Sequence, residues 1–166
     1  ASIQYCFQVE QNGLGDAVLC AEKDIHEPFF LLLGDNVISP SKELGKMKEL
    51  YEKNNHFGVI LVEKVEDPSH YGVVKCSDFD GEQGHITKVF EKPNKQEQEE
   101  FRMGGHFYVI SGAYIFSNEL FKYLKVTKKD AKGEIQLTDA IKLALADGKT
   151  ILAINLKGKR IDIGTP

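Results

Sequence analysis

Phe29-Phe30-Leu31-Leu32-Leu33-Gly34-Asp35-Asn36 is the stretch on which the reading of this 166-residue chain turns. Five consecutive apolar residues stop at a glycine and a carboxylate. An unbroken apolar run of that length reads as a strand covered on both faces, as in a parallel sheet. Ligands of such sheets bind just beyond the carboxyl ends of the strands. Gly34 lets backbone or ligand come close, and Asp35 stands at that edge as a ligand for a hard cation. The same residues also fit a strand followed by an Asp-containing turn.

On either side, strand-like and helix-like patterns alternate, which favours a layered α/β fold. Residues 4–9, 57–63, 71–76, 85–91, 107–116 and 150–156 read as further strands. Helical spacing runs from Leu14 through Ala17, Val18 and Ala21 to Ile25. It recurs in Leu44, Met47, Leu50 and Tyr51 after Ser41, and in Leu120, Phe121 and Leu124 after Ser117. A last helix carries Ala140, Ile141, Ala144 and Leu145 and stops at Gly148. No internal repeat or linker divides the chain, so one domain or a large piece of one is expected.

Composition removes several function classes. The formal net charge of −4 gives no basic footprint for nucleic acid. Cys6, Cys20 and Cys76 are odd in number and not closely paired, which speaks against a disulfide framework or a zinc knuckle. Free thiols in a reducing compartment are expected. No apolar stretch is long enough for a membrane span, and no signal peptide is visible. Cytoplasm is the expected compartment.

Polar residues mark four places where chemistry could sit. Gly13-Leu14-Gly15 joins a strand to a helix whose first N–H groups favour anions. Gln8, just upstream, offers both a donor and an acceptor to a base edge. An ordinary glycine turn beside a surface glutamine explains the same residues. Asp35 and Asp162 each follow a strand-like segment. Together they could hold Mg²⁺, which prefers oxygen ligands and keeps phosphate oxygens and waters. Spacing alone does not bring them together. Glu91-Lys92-Pro93 sets a sugar-hydroxyl acceptor beside a phosphate-binding cation, or is a charged strand end in solvent. Gly133 to Asp139 precedes a helix that Thr138 or Asp139 could cap.

These pieces occur in a recognisable order. The chain resembles the sugar-1-phosphate nucleotidylyltransferases, and within them the uridylyltransferase branch. The matching segments are Gln8 with Gly13 to Val18, Leu33-Gly34-Asp35-Asn36, Tyr71-Gly72-Val73-Val74, Phe90-Glu91-Lys92-Pro93, Ser111-Gly112-Ala113-Tyr114, Gly133 to Ile141, and Asp162-Ile163-Gly164-Thr165. The resemblance implies a Rossmann-like α/β nucleotidyltransferase fold with a mixed, mostly parallel central sheet. It implies transfer of a uridylyl group from UTP to glucose 1-phosphate, giving UDP-glucose and pyrophosphate. Gln8 and Gly13 would contact the uracil. Gly72, Glu91 and Gly112 would contact the sugar, and Lys92 its phosphate. Asp35 and Asp162 would hold Mg²⁺, and with Lys92 they form the expected catalytic set. UTP and a sugar 1-phosphate are the implied partners. A homo-oligomer is compatible with the family; nucleic acid and membrane have no place in it.

Two departures from the family pattern stand out. The glycine-rich loop with its arginine and lysine is absent upstream, and the family's carboxyl-terminal helices are absent downstream. Residues 1–166 therefore read as a partial catalytic domain, expected not to turn over alone. Asp16 stands where uridylyltransferases commonly have histidine. Two alternatives remain: a thymidylyl- or guanylyltransferase, since the ending from Asp162 is shared with guanylyltransferases, and a non-catalytic binding or assembly module.

Overall fold

A computed structural model describes residues 3–54 and 56–164. Among the described residues there are eight strands and five α-helices: α1 (Leu14–Leu19), β1 (Phe29–Leu32), β2 (Asn36–Ser39), α2 (Lys42–Asn54), β3 (Gly58–Val65), β4 (Gly72–Ser77), β5 (Gln83–Glu91), α3 (Lys95–Gln98), β6 (Phe107–Phe116), α4 (Leu120–Val126), α5 (Leu137–Ala146), β7 (Ile151–Asn155) and β8 (Lys159–Asp162). Six strands form one sheet in the order β1-β6-β3-β7-β5-β4, and β4 pairs again with β6. β2 and β8 form a separate two-stranded ribbon.

The sheet is mixed, as expected, but not mostly parallel. Among the described residues only β3 and β7 run parallel, and every other pairing is antiparallel. Hydrophobic pattern reports how many faces of a strand are covered, and central antiparallel strands under helices on both sides give the same signal as parallel ones. β3 shows this. Val59 and Leu61 join a cluster with Met47 of α2. Ile60 and Val62 join the opposite cluster with Leu124 of α4 and Ile141 of α5. All ten residues of β6 are buried for the same reason. Each such Leu or Ile contributes roughly 1.5–3 kcal/mol by leaving water.

The run that opened the reading behaves differently. β1 pairs only with β6 and lies at the sheet's edge, with Phe30 and Leu32 41% and 50% exposed. Phe29 and Leu31 pack on the core, so one face is covered and not two. Residues 4–9 also depart from expectation, since no sheet strand forms there. Ile3, Tyr5, Phe7 and Val9 alternate along the segment and all are exposed. Their alternation is that of a half-buried strand, but no described strand pairs with it. The helix expected to reach Ile25 ends at Leu19, followed by a 3₁₀ turn at Glu22–Asp24.

The three cysteines are free thiols. Burial pushes the Cys76 thiol up to about 12, whereas Cys6 is exposed. Thiolate is the reactive form. In native protein at pH 8, Cys6 is expected to react with a thiol reagent while Cys76 reacts only after denaturation. Equal labelling rates, counted by mass spectrometry, would refute this. Among the described residues no helix is long and apolar enough to cross a membrane.

Candidate functional site

A cleft of about 360 Å³ opens where β1 ends, β4 begins, β5 ends and α5 begins, with the β2–β8 ribbon forming one wall. Six of the eight residues expected from sequence line it: Asp35, Gly72, Glu91, Lys92, Gly112 and Asp162.

The carboxylates meet through the ribbon. The turn after β1 carries Asp35, and β2 begins at the next residue. Asn36 is in register with Asp162 of β8. The backbone closes the pair, with Ile163 N–H donating to the Asp35 carbonyl at 2.8 Å. Sequence reading missed this ribbon because its strands are four residues each and β8 is mostly charged.

Gly112 sits mid-strand with φ of 82°, where β6 bulges against β3. The bulge turns the Gly112 carbonyl onto the Leu33 N–H at 2.9 Å. A Cβ there would meet the Asn36 side chain at 3.1 Å, so glycine keeps the cleft floor open. Glu91 and Gly72 are cross-strand partners. Lys92 holds a positive φ of 47°, a strained conformation for a residue with a side chain, and its N–H donates to the Tyr71 carbonyl. Such strain concentrates at functional sites.

Burial holds the Glu91 carboxyl above the ordinary carboxylate value, partly offset by a hydrogen bond from Thr138 and the charge of Lys92. Thr138 Oγ1 donates to Glu91 Oε2 at 3.2 Å. Thr138 therefore serves the cleft rather than capping α5, whose first turn has no side-chain cap. Tyr114 is buried beneath the cleft, its phenol raised by burial and by Glu91.

Gln8 and Gly13 are not part of the cleft lining, although the neighbouring Leu14 is. Gln8 Nε2 donates to the Gly13 carbonyl at 3.0 Å and to Asp16 Oδ2 at 2.7 Å. Gly13 has φ of 94° and lies against Ile135, whose carbonyl would be 2.8 Å from a Cβ. Its glycine is required by that close approach. Sequence reading gave no role to Arg160, His70 or Tyr114, all of which line the cleft. Arg160 stood two residues before Asp162, and its partner Glu63 is far away in sequence, so no local signal marked it.

The lining carries four carboxylates, Asp35, Glu91, Glu134 and Asp162, against two fixed cations, Lys92 and Arg160. An anionic ligand meets repulsion there unless a cation enters with it. Among the described residues no cluster of three metal-capable side chains exists. Two carboxylates still suit an ion that fills its remaining positions with water and phosphate.

A family model for nucleotidyl transferases matches residues 1–166. The chain belongs to the nucleotidyl transferase family. It is 34% identical over 166 residues to the UTP–glucose-1-phosphate uridylyltransferase AglF of Haloferax volcanii, covering 99% of this chain and 63% of that protein. It is 36% identical over 168 residues to the UTP–glucose-1-phosphate uridylyltransferase of Bacillus subtilis, covering 99% and 55%. The fold superposes with a TM-score of 0.82 on a UDP-glucose pyrophosphorylase complexed with UDP-glucose, at 33% identity, over 95% of this chain and 59% of that one. A UTP-bound enzyme of the same kind from Acinetobacter baumannii gives 0.75 at 29% identity, over 93% and 53%. The chain thus spans between half and two thirds of the length of these relatives. The fold is that of a nucleotidyltransferase, with a mixed central sheet.

Proposed function

We propose that the cleft is the sugar-phosphate and metal side of a UTP–glucose-1-phosphate uridylyltransferase. The observation that carries this reading is the convergence of Asp35 and Asp162 with Glu91 and Lys92 in one cleft, in a chain 34–36% identical to such enzymes. A phosphate oxygen of glucose 1-phosphate attacks the α-phosphorus of UTP. A new oxygen–phosphorus bond forms, the α–β bridge breaks, and its electron pair leaves with pyrophosphate. Phosphoryl transfer of this kind depends on positioning and charge neutralisation. Lys92, held by its backbone tie to Tyr71, neutralises the sugar phosphate. Glu91 accepts hydrogen bonds from sugar hydroxyls. Mg²⁺ between Asp35 and Asp162 would neutralise phosphate charge.

Gln8 takes part in base recognition through its carbonyl oxygen, because its amide nitrogen is engaged by Gly13 and Asp16. An acceptor there suits the imide N–H of uracil. The first test is calorimetric titration of the chain with nucleotide sugars in Mg²⁺. UDP-glucose is expected to bind more tightly than GDP-mannose, without turnover of UTP and glucose 1-phosphate. Equal affinities would remove uridine specificity, and the absence of any binding would remove the reading.

A further inference from the structure

Asp35 stands in the turn before β2 and Asp162 at the end of β8, and a continuous chain of polar contacts runs between them. Asn36 Nδ2 donates to Asp35 Oδ1 at 2.6 Å. Asn36 Oδ1 accepts from Arg160 Nη1 at 3.0 Å. The same Nη1 lies 3.6 Å from Asp162 Oδ2. Behind them, Arg160 Nε is 2.5 Å from Glu63 Oε1 of β3, and the guanidinium sits 4.7 Å over the Tyr71 ring. The Arg160 side chain is only 10% exposed.

We propose that Arg160 is a positioning residue that sets the geometry of the Asp35–Asp162 cation site through Asn36. The inference rests on the reading that these two carboxylates hold a divalent cation. An amide has a donor end and an acceptor end. Arg160 can only donate, so the acceptor end of Asn36 must face it. The donor end is then aimed at Asp35 Oδ1, which leaves Oδ2 as the oxygen with no hydrogen-bond partner among the described residues. At 3.6 Å from Asp162, the guanidinium lies too far to occupy that carboxylate with a hydrogen bond. Asp162 Oδ1 accepts from Gly164 N–H at 3.0 Å, and Oδ2 keeps its ligating capacity while the positive charge eases repulsion between the two aspartates. Glu63 and Tyr71 fix the guanidinium plane against the main sheet, so the ribbon and the sugar side of the cleft share one anchor.

Lysine keeps the charge but has no planar fork to reach Glu63 and Asn36 together. Partners that orient metal ligands typically change metal affinity ten- to a hundredfold. The test is titration of Mn²⁺ into the nucleotide-free chain, with free Mn²⁺ read by electron paramagnetic resonance. Arg160→Lys and Asn36→Ala are each expected to weaken binding at least tenfold, with melting temperatures within a few degrees of the parent. Should Arg160→Lys fail to fold, Asn36→Ala decides the matter, because it cuts the bridge and leaves the Arg160–Glu63 pair intact. Parental Mn²⁺ affinity in the folded variants overturns the inference. A parent chain that binds Mn²⁺ but not UDP-glucose removes the nucleotide-sugar reading alone, and the variants still decide the inference. A parent that binds no Mn²⁺ overturns the inference together with the metal reading.

Discussion

Gly15→Ala is expected to cost about 3 kcal/mol of folding stability and to spoil the cleft. The residue is buried in the first turn of α1, where alanine would ordinarily be preferred. Here a Cβ would lie 2.7 Å from the Ile135 carbonyl oxygen, 2.8 Å from its Cγ2 and 3.1 Å from Leu124 Cδ2. The first obstacle is backbone and cannot rotate away. Gly15 N–H donates to that same carbonyl at 2.8 Å, and Ile135 N–H donates to Asn12 at 2.7 Å. Relieving the clash means pulling the 134–136 segment off α1 and losing these bonds. Overpacking costs roughly 1–3 kcal/mol, and stranding a buried polar group roughly as much again. Glu134, Gln136 and Thr138 line the cleft, so the displacement reaches the site. Gly45→Ala is the control. Gly45 lies within α2, exposed, with nothing within 4 Å of a Cβ. The same chemical change there should add about 0.5–1 kcal/mol. Urea unfolding of both variants measures the contrast, and a loss below about 1 kcal/mol for Gly15→Ala would refute the packing argument.

That contrast also marks what the sequence could reveal. Gly13-Leu14-Gly15 was legible as a glycine turn opening a helix, although the strand expected before it does not form, and a ligand lying against its backbone was the functional reading. The backbone that lies against it is the chain's own, 120 residues away, and local pattern carries no information about such a partner. Asp35, Glu91 and Lys92 stood out as candidates because each lies at or just beyond a strand end, and strand ends are where α/β folds gather ligand groups. Their meeting with Asp162 was not legible, since it depends on the register Asn36↔Asp162 in a ribbon whose strands are only four residues each, one of them mostly charged. Strand direction was lost for a related reason. Alternation and burial are identical for parallel and antiparallel neighbours, so β3 and β6 were located but not oriented. The apolar run at Phe29 to Leu33 predicted more cover than β1 receives, because its outer face at Phe30 and Leu32 has no described partner. Arg160 shows the limit most sharply: its importance lies in Glu63, Asn36, Tyr71 and Asp162 arriving around it from four places in the chain.

Glu91→Gln is expected to raise stability and weaken UDP-glucose binding about thirtyfold, two effects of opposite sign. Burial raises the Glu91 carboxyl above its usual value, with Thr138 and Lys92 pulling the other way. A carboxyl raised on folding is more readily ionised in the unfolded chain. The ionised form therefore costs stability, and that cost is absent below about pH 4.5, grows as pH climbs through the raised value, and is constant above it. Glutamine removes the cost while its carbonyl still accepts from Thr138 Oγ1. The melting-temperature gain of the variant over the parent should thus be near zero at pH 4 and largest near pH 7.5. Comparing variant with parent at each pH cancels the acid sensitivity of Asp80 and Asp130, which backbone N–H groups hold below the usual carboxylate range. Binding runs the other way. Hydrogen bonds to a charged acceptor are worth roughly 1.5–3 kcal/mol, and a neutral amide recovers only part of that. A loss of about 2 kcal/mol corresponds to the thirtyfold change. For the same reason, parent affinity should fall as pH drops through the raised Glu91 value, and the variant should show no such fall. A buried carboxyl outside the sugar site would still give the stability gain, but not the loss of affinity or the flattened pH profile of binding. Unchanged UDP-glucose affinity in Glu91→Gln, with or without the gain in melting temperature, would remove Glu91 from the sugar site.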